Sequence, residues 1–427
     1  MEIISSKHVV DIVCRTLGRV DRRLTGHGER GASLALQLLL TQKGGALSRR
    51  EMDLVLAALF HDVGAYKTDE IDSLLSFERE GGWGHALYGY LFLKNLSPLG
   101  TVADAVLYHH CPYRELRQID TPHRMGAALI CLCDRVDVLV QSGRRAEVPA
   151  LLARERGVLF DPLLVDLFFR ADGERQLLNQ GEGALCAPLW VAASRLSFDE
   201  GEKRAFLQML AYSIDFRSEY TVLHTITTVN VSLAIARLLG LSDGDQQRIY
   251  YGALLHDLGK VSTPVSILEK PGRLTGEEMA VMREHVAVTS EILGGFIRDD
   301  VYRIAVRHHE KLDGSGYPLG LRGDKLNLPE RVVAVADIVS ALARERSYKE
   351  AYGREQVLAI LEQMQAAGTV CPTVTALVRS HYDQLMASAR AGSAPILALY
   401  QGVLREYRAL SAEIRAAGRS KPDPGPA

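Results

Sequence analysis

Two short stretches hold most of the residues in this chain that could do chemistry. One is His256-Asp257-Leu258-Gly259-Lys260. The other runs from His308-His309-Glu310 through Lys311-Leu312-Asp313-Gly314-Ser315-Gly316 to Tyr317-Pro318. The first sets an imidazole beside a carboxylate. The second sets two imidazoles side by side, followed by a glycine-rich turn. Imidazole nitrogens and carboxylate oxygens are the donors that polynuclear metal sites gather, and one Asp, with two oxygens, can bridge two ions. A lone His-Asp pair is common and means little. Both stretches together, in this order, point to a metal site.

The elements that must position these side chains read as helices. Apolar residues recur at helical spacing, as in Val222, Ile226, Val229 and Leu233, or Val301, Ile304, Ala305 and His308, and strand-like alternation is nearly absent. The fold class expected is all-α. The same elements occur twice. The N-terminal half offers His27, His61-Asp62, His85, His109-His110 and Asp134, with gaps of 34, 24, 25 and 24 counted from the second His of the pair. The C-terminal half offers His224, His256-Asp257, His285, His308-His309 and Asp337, with gaps of 32, 29, 24 and 28. The parallel continues in Gly157–Pro162 (GVLFDP) and Gly368–Pro372 (GTVCP), each followed by an apolar helix. A single histidine is most often a hydrogen-bonded core or surface residue. A whole ordered series repeated in two halves is better explained by duplication of a helical bundle that points its histidines inward.

The organisation expected is an N-terminal domain over 1–171, a linker over 172–200 rich in Gly and Pro, and a second domain over 201–390. A C-terminal helix and disordered tail then span 391–427, ending in Pro422, Pro424 and Pro426. A net charge of −2 over 427 residues offers no general attraction to polymeric nucleic acid or to an anionic membrane. Any anionic ligand must therefore be held by local basic residues. Cys14, Cys111, Cys131, Cys133, Cys186 and Cys371 sit mostly in apolar runs, without zinc or disulfide spacing, and read as reduced thiols. With acids at Glu2 and Asp11, no signal-peptide pattern and no apolar run of membrane-spanning length, a cytoplasmic protein is expected.

Residues 205–385 resemble an HD-GYP domain, the class II cyclic dinucleotide phosphodiesterases of bacteria. The resemblance rests on the His-Asp pair with Gly-Lys after it, on His-His-Glu, and on Asp-Gly-Ser-Gly-Tyr-Pro. It implies two tandem HD-superfamily helical bundles. It also implies that His224, His256, Asp257 and Asp337 serve one metal ion, and His285, His308, His309 and the shared Asp257 another. Iron or manganese is expected, and zinc also suits such donors. A third ion in some members uses a Glu one turn before the first His; Tyr220 stands there, beside Glu219, so two ions are expected. A hydroxide bridging the ions would attack phosphorus in line with the leaving 3′-oxygen, with Asp257 at the centre of the catalytic machinery. Lys260, one turn past His256, would stabilise developing charge or protonate the leaving group.

Gly314, Gly316, Tyr317 and Pro318 would shape the substrate side of the site. Arg346 and Lys349 fall where the family binds guanine and phosphate, and a planar guanidinium suits a guanine edge. The sequence departs from the family here, with Ser340 for an Asp, Ala343-Arg344 for Thr-Ser and Ser347 for Pro. These departures spare the metal ligands and bear on substrate preference. The first reading is hydrolysis of cyclic di-GMP to linear pGpG, with a further cut to GMP left open. The alternatives are the same chemistry on 3′,3′-cyclic GMP-AMP, or a receptor that binds a cyclic dinucleotide without turnover. A homodimer is left open.

The N-terminal half resembles a plain HD domain. It keeps a candidate second metal set in His27, His61, Asp62, His85, His109, His110 and Asp134. Ala65 replaces the lysine, Cys111-Pro112-Tyr113-Arg114 follows the His pair, and no Arg-x-x-Lys follows Asp134. Three readings stay open: a metal-binding regulatory domain, a metal-free structural partner, or a second phosphohydrolase acting on a nucleotide or alarmone.

Overall fold

A computed structural model describes residues 2–20, 25–67, 83–218, 223–343 and 352–416. Among them the chain is all-α, with only isolated bridges, Arg156 to Phe160 and Asp313 to Arg322, in place of strands. It divides into two compact units. One comprises residues 1–8 and 210–402, the other 9–209 and 403–427. Among the described residues no helix is long and apolar enough to cross a membrane.

In the unit that holds residues 210–402, local sequence signals mark where helices begin. Ser242 accepts from the Asp245 amide at the start of Asp243–Leu255. Thr275 with Glu278, and Asn327 with Glu330, form reciprocal capping boxes that start Gly276–Leu293 and Leu328–Leu342. The helix His224–Leu238 packs on Asp243–Leu255 and on Leu328–Leu342, while Asp299–Val306 packs on Asp243–Leu255. The core between them is apolar, including Val229, Val231, Leu254, Leu255, Ile304, Val332 and Val339, all at most 1% exposed. Burial of this kind, at about 25 cal/mol per Å² of apolar surface, is what holds a bundle rigid enough to fix a site.

The unit that holds residues 9–209 uses the same plan. The helices His27–Lys43, Arg49–Leu59, Trp83–Leu96 and Arg124–Gln141 carry or flank its histidines, and Ser48 with Glu51 makes the capping box of the second. The duplication extends to backbone contacts. A side chain at Gly64 would lie 2.0 Å from the His85 carbonyl oxygen, and one at Gly259 would lie 1.9 Å from that of His285. In each half the turn after the His-Asp pair is pressed against the next histidine's helix, and only glycine leaves room.

Residues 172–200 depart from the linker expected there. They carry the helix Glu182–Ser194, which packs on His27–Lys43 and buries Leu185, Cys186, Leu189 and Ala193. Gly181, Gly183 and Pro188 punctuate the stretch, but the gain from burying that apolar face outweighs them. The terminal helix begins well before 391, at Pro372, and runs to Ala416 with a kink at His381, contributing residues to both units. Residues 417–427, expected as a tail, lie outside the described residues.

Candidate metal centre and active site

Each ligand candidate in the second half sits at a structurally constrained point. His224 opens the helix His224–Leu238. His256 follows Asp243–Leu255 directly, and Asp257 precedes the 3-10 turn Leu258–Ser262. His285 lies within Gly276–Leu293, His308 and His309 follow Asp299–Val306, and Asp337 lies within Leu328–Leu342. The structure brings all seven together. His224 Nε2 is 3.3 Å from Asp257 Oδ2 and 3.0 Å from Asp337 Oδ1, and His256 Nε2 is 3.1 Å from Asp257 Oδ2. The other oxygen of Asp257 faces His285 Nε2 at 3.4 Å, so this carboxylate stands between the two histidine groups. His285 and His308 approach at 3.4 Å through their Nε2 atoms, and His309 Nδ1 is 3.9 Å from Asp337 Oδ2.

Hydrogen bonds behind the rings set their orientation. The Nδ1 atoms of His256, His285 and His308 lie 2.7, 2.6 and 2.7 Å from the carbonyls of Ala253, Met282 and Ala305. Each carbonyl takes an Nδ1 proton, so that in the neutral ring Nε2 is a lone-pair donor aimed inward. Thr289, one turn past His285, accepts from the Gly259 amide at 2.9 Å and donates to the His256 carbonyl at 3.2 Å. The His-Asp turn is thereby pinned.

These donors fit divalent transition metals. His224, His256 and Asp257 form one buried group whose donor atoms lie within 4.8 Å of one another, and His285, His308 and His309 form a second. His256 Nε2 and Asp257 Oδ1 are buried without a hydrogen-bond partner. Orphaned polar atoms in a core are costly unless something binds them, and a cation satisfies both at once. The electrostatics agree. Burial opposes charge on Asp257, yet His256, Lys260 and His224 outweigh it and hold the carboxyl well below its usual range. Burial depresses His309 to about 3, keeping its ring neutral, as a metal-donating imidazole must be.

His256 behaves oppositely. Burial disfavours its cation, but Asp257 and Asp337 push its pKa up to about 10. Without metal it holds a proton that a metal ion must displace. Metal affinity should therefore rise with pH between 6 and 9, by about tenfold per unit for each proton displaced. Calorimetry of Mn²⁺ binding in buffers of different ionisation enthalpy measures this; a pH-independent affinity would contradict it.

Lys260 Nζ lies 2.5 Å from Asp257 Oδ2, and Arg217 donates to the carbonyls of Lys260 and Val261 at 2.7 Å each, holding the turn that carries it. Tyr317 lies against His309, with ring centroids 4.7 Å apart, and the Arg283 guanidinium sits 4.9 Å from the tyrosine centroid. A side chain at Gly316 would strike the backbone of His309, Glu310 and Lys311 at 2.4–2.6 Å, and Gly314 has φ of +85°. Both glycines are conformationally required. Pro318 is exposed. Arg346 and Lys349 lie outside the described residues.

Sequence reasoning assigned no role to Glu310, which is 5% exposed and accepts from the Leu319 and Leu321 amides at 2.7 and 2.8 Å. It clamps the far side of the Gly-Tyr-Pro loop. A charged residue directly after two histidines and before a glycine turn was the available signal. Hydrogen bonds to a charged acceptor contribute about 1.5–3 kcal/mol each. Glu310→Ala should thus speed amide exchange at 319 and 321 by at least about tenfold. Hydrogen-exchange mass spectrometry of the metal-loaded protein measures it; unchanged protection would contradict the clamp.

The first half gathers its set as well. His27 Nε2 is 3.1 Å from Asp134 Oδ1 and 3.7 Å from Asp62 Oδ2, and His61 and His85 approach Asp62 at 3.4 and 3.7 Å. Behind them, Asp137 takes His27 Nδ1 at 2.8 Å and the Arg30 fork at 2.7 and 3.1 Å. In the second half Ser340 occupies the corresponding place, 3.2 Å from His224 Nδ1. A neutral hydroxyl there replaces a carboxylate.

HD-domain family models match residues 204–374 and 26–139. The chain is 31% identical over 83% of its length, and 87% of the relative's, to the 3′3′-cGAMP-specific phosphodiesterase 1 of Vibrio cholerae. It is 40% identical over 46% of its length, and 53% of the relative's, to the cyclic di-GMP phosphodiesterase response regulator RpfG of Xanthomonas campestris. A crystal structure of the cyclic GMP-AMP specific phosphodiesterase V-cGAP3 of V. cholerae shares the fold, with a TM-score of 0.57 at 20% identity over 91% of this chain and 98% of that one. This chain accordingly belongs to the HD superfamily and carries two HD domains, a plain one followed by one of the HD-GYP phosphodiesterase type.

Proposed function

We propose that this chain, a metal-dependent phosphodiesterase of cyclic dinucleotides, takes 3′,3′-cyclic GMP-AMP in preference to cyclic di-GMP. The sequence alone put cyclic di-GMP first. The observation that reverses the order is the relative specific for 3′3′-cGAMP, matched over 87% of its length and through both halves, whereas RpfG is matched over 53% of its own. The replacement of the usual Asp by Ser340, in contact with His224, supports a site that differs from the common cyclic di-GMP pattern.

The second half would do the chemistry. Two ions, iron or manganese, would be held by His224, His256, Asp257 and Asp337 and by His285, His308, His309 and the shared Asp257. When bound, such ions lower the pKa of a water and polarise phosphoryl oxygens. The chain's own residues do the rest. Asp257 presents one oxygen to each histidine group. Lys260, 2.5 Å from that carboxylate, brings an ammonium into reach of charge developing on phosphate or leaving oxygen. Tyr317 offers an aromatic wall beside His309 for a base. Water adds to phosphorus, the bond to the 3′-oxygen breaks, and a linear dinucleotide with a 5′-phosphate leaves. The six cysteines are all buried and none forms a disulfide, in keeping with a reducing cytoplasm.

The test is kcat/KM for each cyclic dinucleotide, measured separately on the metal-loaded protein. A ratio of about tenfold or more for cyclic GMP-AMP is expected, equivalent to roughly 1.4 kcal/mol. A ratio favouring cyclic di-GMP would restore the other substrate.

A further inference from the structure

The two halves share their ligand plan but differ in where they place a side-chain cation. In the second half it is Lys260, from the turn after the His-Asp pair. In the first half that position is Ala65, and the cation is Arg135, next to Asp134, where the second half has Ile338. Arg135 Nη2 lies 3.2 Å from His110 Nδ1, and its Nε lies 3.8 Å from Asp134 Oδ2. His110 Nε2 in turn lies 2.9 Å from His85 Nε2.

These contacts use up the donors that a second ion would need. A guanidinium only donates, so His110 Nδ1 must accept, its ring proton must sit on Nε2, and that proton is given to His85 Nε2. The inward lone pair of His85 is thereby engaged, and the inward nitrogen of His110 carries a proton in place of one. The second half lacks this chain: His285 Nε2 meets His308 at 3.4 Å, and His309 faces Asp337 without an intervening guanidinium. On the other side of the first site His61 and Asp62 keep inward donor atoms unbonded, while His27 Nε2 lies 3.1 Å from Asp134 Oδ1. His61 Nδ1 is bound to the Ala58 carbonyl at 2.7 Å, so Nε2 faces inward, and both Asp62 oxygens are buried without a hydrogen-bond partner. His27, His61 and Asp134 lie within bridging reach of one ion. His85, His109 and His110 lie within 4.8 Å of one another through their donor atoms, but with His85 and His110 bonded to each other and Arg135 bonded to His110, His109 keeps the unpartnered Nε2 of that group, and one imidazole with a shared carboxylate oxygen is too few to hold another cation.

We propose that Arg135 stands in for a second cation in the first half, which makes it a one-ion site built on His27, His61, Asp62 and Asp134. Arg suits that task because it keeps its charge under all conditions and is held as a planar fork, whereas the flexible Lys260 stem can move aside. The inference holds whichever cyclic dinucleotide the second half takes.

The experiment counts ions in the full chain carrying His256→Ala, Asp257→Ala and His308→Ala, which strips the second half of ligands to both of its positions. After anaerobic loading with Mn²⁺, native mass spectrometry gives the count and electron paramagnetic resonance the coupling. One ion with an isolated Mn²⁺ spectrum is expected. Adding Arg135→Ile should raise the count to two with an exchange-coupled spectrum, while Arg135→Lys should stay at one. Arg135→Gln, which keeps a polar group there, repeats the neutral arm should the isoleucine variant not fold. No ion, or two ions with Arg135 in place, or a single ion in both neutral variants, overturns the proposal.

Discussion

Asp257→Ala should remove turnover of cyclic dinucleotides by at least about a thousandfold, roughly 4 kcal/mol of transition-state stabilisation. Asp257 is the residue whose two oxygens face different histidine groups, 3.1 Å from His256 on one side and 3.4 Å from His285 on the other. Its loss strips a ligand from each position at once. It also leaves Lys260 without its ion-pair partner and His256 without one of the two carboxylates that raise its pKa. The variant should bind less than half of the metal retained by the second half in the parent protein. Asp62→Ala, the matching change in the first half, should leave the rate within about threefold, since Ala65 gives that half no counterpart of Lys260. Initial rates and metal content, measured side by side on both variants, check this. A collapse with Asp62→Ala instead would move the chemistry to the first half.

Lys260→Met should lower kcat by about 10²–10³-fold with metal content intact, the loss seen when one donor to a developing charge is removed. Methionine keeps the length of the stem and removes the charge. Because Arg217 holds the backbone of the turn through Lys260 and Val261, the change should leave the His-Asp geometry in place. A role confined to neutralising Asp257 makes a different prediction: tighter metal binding and an unchanged kcat. Steady-state kinetics at saturating metal, with a metal titration alongside, separate the two. An unchanged kcat would take Lys260 out of the reaction.

How much of this was legible in the sequence follows from what each residue does locally. The candidate ligands were legible because metal chemistry restricts residue types, and because a helical plan repeated twice restricts spacing. All fourteen candidate positions converge as two sets of seven. Residues that act through distant partners were not. Asp137 meets Arg30 across 107 positions, and Ser340 meets His224 across 116. No periodicity connects such pairs. Glu310 was quoted as part of a motif, yet its role as a clamp depends on the loop folding back to present the Leu319 and Leu321 amides. The helix Glu182–Ser194 was read as a linker because Gly and Pro dominate its local signals, while its stability comes from a face packed on His27–Lys43.

The most direct test of the account follows the oxygen. Metal-loaded protein, kept free of dioxygen, would be incubated with 3′,3′-cyclic GMP-AMP in ¹⁸O-labelled water, and the product resolved by mass spectrometry. A linear dinucleotide with one labelled oxygen on its 5′-phosphate and none on the 3′-hydroxyl is expected, formed by the parent protein and not by Asp257→Ala. Intact cyclic dinucleotide after prolonged incubation, with metal shown to be bound in the second half, would contradict it.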